Sequence, residues 1–351
     1  MATESKKQNL DTELFQLLGQ AVEQTGTSPD SSKGKRIREM MHTACKLSRD
    51  HADLGELKLL SQSLKEMRYA LKVFRQYPGH RISIFGSART PEDHPDYIAC
   101  VNFSKALAES GWMVITGAGD GIMRAGHGGA GTEKSFGVSI SLPFEATAND
   151  IIQGDPKLIN FRYFFTRKLM FMWHSHAIAL FPGGFGTQDE GFEALTLIQT
   201  GKAPILPIVC IDAPGGDYWH HWDNYMTHSL LDYGWISPED KNLYFITDDH
   251  LKAVEHIQHF YRNYHSQRFV FDTMVIRIKR RITDKQLQEL NTEFACLVKS
   301  GNIEQGPALR QERDHTELPR IYFESHKNQY GTLRRLINKL NDFDVINNPA
   351  V

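Results

Sequence analysis

Cysteine is scarce in this chain. Its four cysteines, Cys45, Cys100, Cys210 and Cys296, lie far apart with no Cys-x-x-Cys, which signals neither a disulfide framework nor a cysteine-based zinc site. A reduced, cytoplasmic setting is the expectation. Long apolar runs are missing as well: no stretch approaches the roughly 18 residues that a membrane helix needs. The N-terminus "MATESKKQNLDTELFQ" holds no continuous apolar segment of the signal-peptide kind, so neither secretion nor a membrane partner is expected. An excess of charge is also absent. With 40 Lys and Arg against 42 Asp and Glu the formal net charge is −2, which gives no broad basic footprint for nucleic acid. What is present is an ordinary globular composition, 351 residues with 40% hydrophobic and 23% charged, enough for about two domains and a large core.

Residues 1–34 are polar, end in "TGTSPDSSKGK", and read as a mobile segment with one short helix around Leu10 to Val22. Residues 35–78 carry apolar side chains at helical spacing, with Leu59, Leu60, Leu64, Met67, Leu71 and Phe74 close to one stripe; "YPG" at 77–79 stops the helix. The period then changes. "RISIFG", "WMVITG", "FGVSISLP" (136–143), "HAIALFPGG", "APILPIVCID" and "LYFITDD" are short apolar runs, most of them separated by helical stretches. That is the pattern of a buried parallel sheet with crossover helices. Residues 79–264 are therefore expected to form a doubly wound, mostly parallel Rossmann-like α/β domain of about six strands. Residues 265–351 read as a small C-terminal βαβα module, from "TMVIRIKRRI", a capping box opening at Thr283, "RIYFES" and "TLRRLINKLND".

Ligands of such sheets bind beyond the carboxyl ends of the strands, which directs attention to "GSART", "TGAGDGIM" and "PGGFGT". In the second, Gly117, Gly119 and Gly121 are spaced G-x-G-x-G, one place short of a dinucleotide fingerprint. Two readings of these glycines stand: a turn whose N–H groups bind an anion, and close helix–strand packing. In "PGGFGTQDE", Gly183, Gly184 and Gly186 permit close backbone approach, Thr187 offers a hydroxyl, and a helix starting near Gly186 aims its positive end at the crevice. A phosphate suits that field. Neighbouring helical residues point about 100° apart, so Asp189 and Glu190 are not expected to face the pocket together. Glu190 and Glu193, three apart, share a face. The helix-end field predicts that Glu190 is ionised at pH 7, although acidic residues in a first helical turn often serve only the dipole.

"PGGFGTQDE" resembles the P-G-G-x-G-T-x-x-E signature of the LOG (LONELY GUY) family of Rossmann-like phosphoribohydrolases, also labelled "possible lysine decarboxylases". "FGSAR", "GAGDGIM" and the arginine–lysine pair of "FFTRKLMF" fit the same family. The resemblance covers residues 81–202 well and the rest of the core loosely. It implies hydrolysis of the N-glycosidic bond of nucleoside 5′-monophosphates, releasing free base and ribose 5-phosphate. Arg167 and Glu190 would be the catalytic pair, and Gly183, Gly184, Gly186 and Thr187 the phosphate ligands. Lys168 and Glu193 would support the site, and Gly86, Ser87, Gly117, Gly119 and Gly121 would complete the substrate-binding set. It further implies a homodimer or higher homo-oligomer. The alternative is a non-catalytic nucleotide-binding or regulatory protein on the same fold.

Three positions depart from the family pattern: His176 where aspartate is common, Arg124 after "GIM", and Gln188 in place of an apolar residue. The expected chemistry calls for no metal or organic cofactor. An oxocarbenium-like ribose is stabilised by a fixed carboxylate, and an arginine fork suits phosphate or ribose hydroxyls. His174 and His176 would share a face on a strand but lack a third metal ligand in view, so packing or a polar wall is preferred. For "YWHHW" at 218–222, a core or interface role is preferred over base stacking. Lysine decarboxylation through pyridoxal phosphate would need a Schiff-base lysine, for which Lys168 is the available candidate.

Overall fold

The computed structural model describes residues 2–141 and 148–343. The chain divides into two compact units, one up to Lys65 and one from Glu66 onward. In the first, α1 spans Ala2–Glu23 and α2 Ser32–Arg49, where a mobile segment with one short helix was expected. Ser31 starts α2 by accepting from the Gly34 N–H at 3.0 Å, and the two helices meet where the Arg38 guanidinium lies 4.1 Å from the centre of the Phe15 ring. The helical pattern expected over residues 35–78 is interrupted at His51, which has φ +58°. A new helix, α3 (Leu54–Phe74), opens at Asp53, where Asp53 and Glu56 each accept the other's backbone N–H. The division between the units falls inside α3.

From Glu66 onward the architecture is the expected α/β sheet, with seven strands rather than six. Along the chain come β1 (Arg81–Phe85), α4 (Pro95–Glu109), β2 (Met113–Thr116), α5 (Ile122–Ala130), β3 (Ser135–Ile140), β4 (Leu158–Phe161), α6 (Phe164–His174), β5 (Ala177–Leu180), α7 (Phe185–Gln199), β6 (Ile208–Ile211), α8 (Tyr218–Tyr225), β7 (Tyr244–Thr247) and α9 (His250–Phe260). All neighbouring strands pair in parallel, in the order β4-β3-β2-β1-β5-β6-β7. The strand not anticipated, β4, is a four-residue edge strand whose Asn160 is exposed. Leu142 and Pro143, at the end of the expected third strand, lie outside the described residues. β6 starts only after Pro207, because neither Pro204 nor Pro207 can donate to a ladder. Apolar residues on both faces of β2, β5 and β6 are fully covered, as a sheet with helices on both sides requires.

The tail differs from the βαβα expectation. It contains β8 (Tyr264–Val270), β9 (Thr273–Ile278), α10 (Asp284–Glu293), β10 (Val298–Gly306), β11 (Arg320–Ser325) and α11 (Tyr330–Asp342). The four strands form an antiparallel sheet in the order β10-β11-β9-β8. The two additional strands, "YHSQRFV" and "VKSGNIEQG", are polar sheet edges with little apolar alternation. Leu336, Ile337 and Leu340 of α11 share one apolar core with Ile198, Ile205 and Ile208 of the parallel sheet layer.

Candidate active site

Strand order reverses beside β1: the chain winds outward through β2, β3 and β4, then returns to β5 on the other side of β1. The loops after β1 and β5 therefore diverge and leave a crevice at the carboxyl ends of the strands. A cavity of about 770 Å³ opens there, lined by Gly86, Ser87 and Arg89 after β1, Gly117 after β2, Arg167 on α6, and Gly183 through Glu190 after β5. Of the expected site residues, the structure brings Gly86, Ser87, Gly117, Arg167, Gly183, Gly184, Gly186, Thr187 and Glu190 to this one cavity.

Gly119, Gly121, Lys168 and Glu193 are not on its wall. Gly121 has φ +60°, and a Cβ on it would lie 2.3 Å from the Ser87 carbonyl oxygen, so this glycine serves close packing of two loops. The Ile122 N–H donates to that same oxygen at 3.0 Å. Ala118 also adopts a left-handed backbone, φ +65°, unusual for a residue with a Cβ. It is held by Asn149, whose side-chain amide donates to the Ala118 and Gly119 carbonyls and whose N–H donates to Ala118.

The loop after β5 is built for close approach. A Cβ on Gly183 would stand 2.1 Å from Thr187 Oγ1 and 2.9 Å from the Ser87 nitrogen, whereas positions 184 and 186 have nothing within 4 Å. Gly183 is thus fixed by its neighbours, while Gly184 and Gly186 face open space. The Ser87 N–H donates to the Pro182 carbonyl at 3.1 Å and ties the two loops together. From the far side, the Tyr218 hydroxyl donates to the Gly183 carbonyl at 2.6 Å and accepts from the Gln188 amide at 2.7 Å. Gln188, one of the departures from the family pattern, thereby braces the loop. α7 starts at Phe185 with no side-chain cap, leaving its first N–H groups to the cavity.

α6 presents the arginine–lysine pair. Thr166, Met170, Phe171 and His174 form its buried face, and its first turn is held by Glu66, which accepts from the Arg162 N–H and the Thr166 hydroxyl, both at 2.9 Å. A carboxylate there complements the helix end. The Arg167 guanidinium lies 5.4 Å and 5.6 Å from the centres of the Phe164 and Phe171 rings, which hold it over the cavity. Lys168 points to the carboxylates instead: its Nζ is 2.8 Å from Asp189, 2.7 Å from Glu193 and 3.9 Å from Glu190. Asp189 and Glu190 were not expected to face the pocket together, yet both line the cavity and meet the same ammonium, Asp189 from the solvent side and Glu190 from within.

Glu190 is only 8% exposed. Burial pushes its carboxyl from the ordinary 4.5 up to about 7, aided by Glu193 and Asp189 and opposed by Lys168 and Arg167. This corrects the expectation of an ionised Glu190 at pH 7: loss of water outweighs the positive charges of Lys168 and Arg167. Burial pulls Lys168 down, but its hydrogen bonds to Asp189 and Glu193 hold it above the ordinary lysine value. A Schiff base needs a neutral amine, and the cavity wall carries Arg89 and Arg167 but no lysine. These residues do not fit pyridoxal phosphate.

The other singled-out residues lie elsewhere. His174 closes α6 and stacks on Phe74 at 3.9 Å, while His176 accepts from the Arg81 N–H at 3.2 Å at the opposite end of the strands. Burial lowers them to about 4 and about 3, respectively. Arg124 is engaged by Asp150 at 2.6 Å and Glu92 at 3.0 Å. Neither His176 nor Arg124 lines the cavity. Sequence reasoning missed Glu66 and gave Tyr218 only a core or interface role, their contacts spanning 100 and 35 positions; Arg89 was available within the "FGSAR" motif.

Residues 119–257 match the family model described as "Possible lysine decarboxylase". No curated protein matches the chain. Among solved structures, it is similar to the structural-genomics target TM1055 at 18% identity, over 51% of this chain and 99% of that one, with a TM-score of 0.37. It is also similar to the molybdenum cofactor carrier protein from Chlamydomonas reinhardtii, at 21% identity over 52% and 97% of the two chains with a TM-score of 0.35. The molybdenum cofactor binding protein from Rippkaea orientalis matches at 19% identity over 52% and 96%, with a TM-score of 0.37. Over residues 119–257 this chain is thus similar to the LOG family, the group described as possible lysine decarboxylases.

Proposed function

We propose that the protein hydrolyses the N-glycosidic bond of nucleoside 5′-monophosphates, giving free base and ribose 5-phosphate. The observation that carries this reading is one cavity holding an open glycine–threonine loop at a helix N-terminus together with a buried carboxylate and an arginine. The loop's N–H groups and Thr187 take the 5′-phosphate, whose charge suits the positive end of α7. Arg167 orients phosphate or ribose hydroxyls through its planar fork. As the C1′–N bond breaks, positive charge builds on the ribose, and the ionised form of Glu190 stabilises it or takes a proton from the attacking water. The departing base carries away the bonding electron pair and is protonated from solvent. Lys168 and Glu193 position Glu190 and moderate its charge. The cavity volume lies within the range of small-molecule sites, and this chemistry requires no metal.

Incubating the pure protein with AMP, GMP, CMP and UMP and following free base by chromatography tests the proposal. Release of base and ribose 5-phosphate from at least one is the expected result. Binding without release of any base would instead support the non-catalytic nucleotide-binding reading.

A further inference from the structure

A second cavity, of about 650 Å³, lies at the other end of α7. Its wall is formed by Gln199 and Thr200 at the C-terminus of that helix, Glu239 and Asp240, Lys327 and Gln329, and Gly331 and Thr332 in the first turn of α11. Two helix ends of opposite polarity thus face one space: the negative end of α7 and the positive end of α11. Two polar groups are left over. Thr332 is 7% exposed and its hydroxyl has no hydrogen-bond partner among the described residues, and the Gln329 side-chain oxygen is buried without one. The buried Gln329 oxygen carries a free-energy cost unless something satisfies it.

The charged groups are divided in the same way. Asp240 is committed, accepting from the Gln199 amide at 2.7 Å and the Ser237 N–H at 2.8 Å, and Lys327 is paired with Asp272. Glu239 makes no ion pair among the described residues. The cavity therefore offers donors, the first N–H groups of α11 with the Thr332 hydroxyl, and acceptors, the Glu239 carboxylate, the Gln329 oxygen and the end of α7. A lone anion would meet Glu239, and a lone cation the end of α11.

We propose that this cavity binds a small zwitterion of the α-amino acid class, its carboxylate on the first turn of α11 and Thr332, its ammonium toward Glu239 and Gln329. The site is independent of the hydrolase reading, so its test is a binding measurement.

The test uses the full chain, with each standard α-amino acid, inorganic phosphate and methylammonium supplied at about 10 mM. At about ten times Kd, a ligand of the folded state should raise Tm by about 2 °C or more. At least one amino acid should do so and bind by calorimetry, while phosphate and methylammonium do not. Thr332→Val and Glu239→Gln should each weaken binding about tenfold. Glu190→Gln should leave it unchanged, which separates this site from the first cavity. If Thr332→Val does not fold, Glu239→Gln, a change at a half-exposed side chain, decides alone. The proposal is overturned if no amino acid binds, if phosphate binds as tightly alone, if folded variants keep full affinity, or if Glu190→Gln removes the response.

Discussion

Glu190→Gln should make this protein more stable and far less active, and both effects follow from the same burial. The carboxyl is raised from the ordinary 4.5 to about 7 in the fold. The folded state thus holds this proton more tightly than the unfolded chain, and stability falls as pH climbs from 4.5 through 7. At about 1.4 kcal/mol per pH step, the charged side chain costs on the order of 3 kcal/mol at pH 8. Glutamine keeps the shape and carries no charge. Setting the cost of burying a neutral amide against this leaves a gain of about 2 kcal/mol at pH 8, a Tm several degrees higher, and little difference at pH 4. The same substitution removes the charge that faces the reacting ribose, so kcat should fall by about two orders of magnitude or more, roughly 3 kcal/mol, with AMP binding retained. Thermal melts at pH 4 and 8, with single-turnover base release, measure both. A lower Tm for the variant at pH 8, or a loss of activity under about tenfold, would refute the reasoning.

The wild-type pH profile of kcat/KM should rise with unit slope below about 7 and level off above it, because Glu190 acts ionised. Lys168→Met, which removes an opposing positive charge, should carry that limb to higher pH; an unmoved profile would show that the ammonium does not act on Glu190. Gly183→Ala should disorder the phosphate loop and raise KM for AMP at least about tenfold, since its Cβ meets Thr187 and Ser87, whereas the Tm of Gly184→Ala should match wild type within about 2 °C. Tyr218→Phe removes two hydrogen bonds from the same loop and should raise KM about five- to tenfold with kcat less affected, as steady-state kinetics would show. Adenosine should react at least about a hundredfold more slowly than AMP in the same assay, because binding energy at the phosphate positions the distant bond.

The sheet and its three glycine-bearing loops were legible because buried parallel strands and strand-end turns leave local signatures, apolar runs closed by Gly. The open glycine loop at the start of α7 could be read from "PGGFGT" alone. The ionisation of Glu190 could not: it depends on how much water α6 and the β1 loop leave around the carboxyl, and no local pattern records that. The convergence of Asp189, Glu190 and Glu193 on Lys168 was hidden for a related reason. Helix phase gives the direction of each Cα–Cβ bond, but long side chains reach sideways to a charge on another helix. Glu66 and Tyr218 hold the start of α6 and the loop after β5 from far along the chain. In the tail, β8 and β10 went unread because sheet edges need little apolar alternation.

Arg334 is buried with no carboxylate beside it among the described residues, its guanidinium donating to the Leu206 carbonyl at 3.1 Å and lying 4.5 Å from the centre of the Phe260 ring. Near it Asn341 accepts from the Asn263 and Tyr264 N–H groups and donates to the Phe260 carbonyl. A charge seated this way tolerates no partial detachment: when α11 leaves, the carbonyl before β6 loses its donor and the core shared by both sheets is opened to water. The tail should therefore melt with the α/β sheet in one cooperative step. A nascent chain cannot complete the region around β6 until α11 has been synthesised, so a chain that stops before α11 should be a substrate for proteases in place of a smaller working protein.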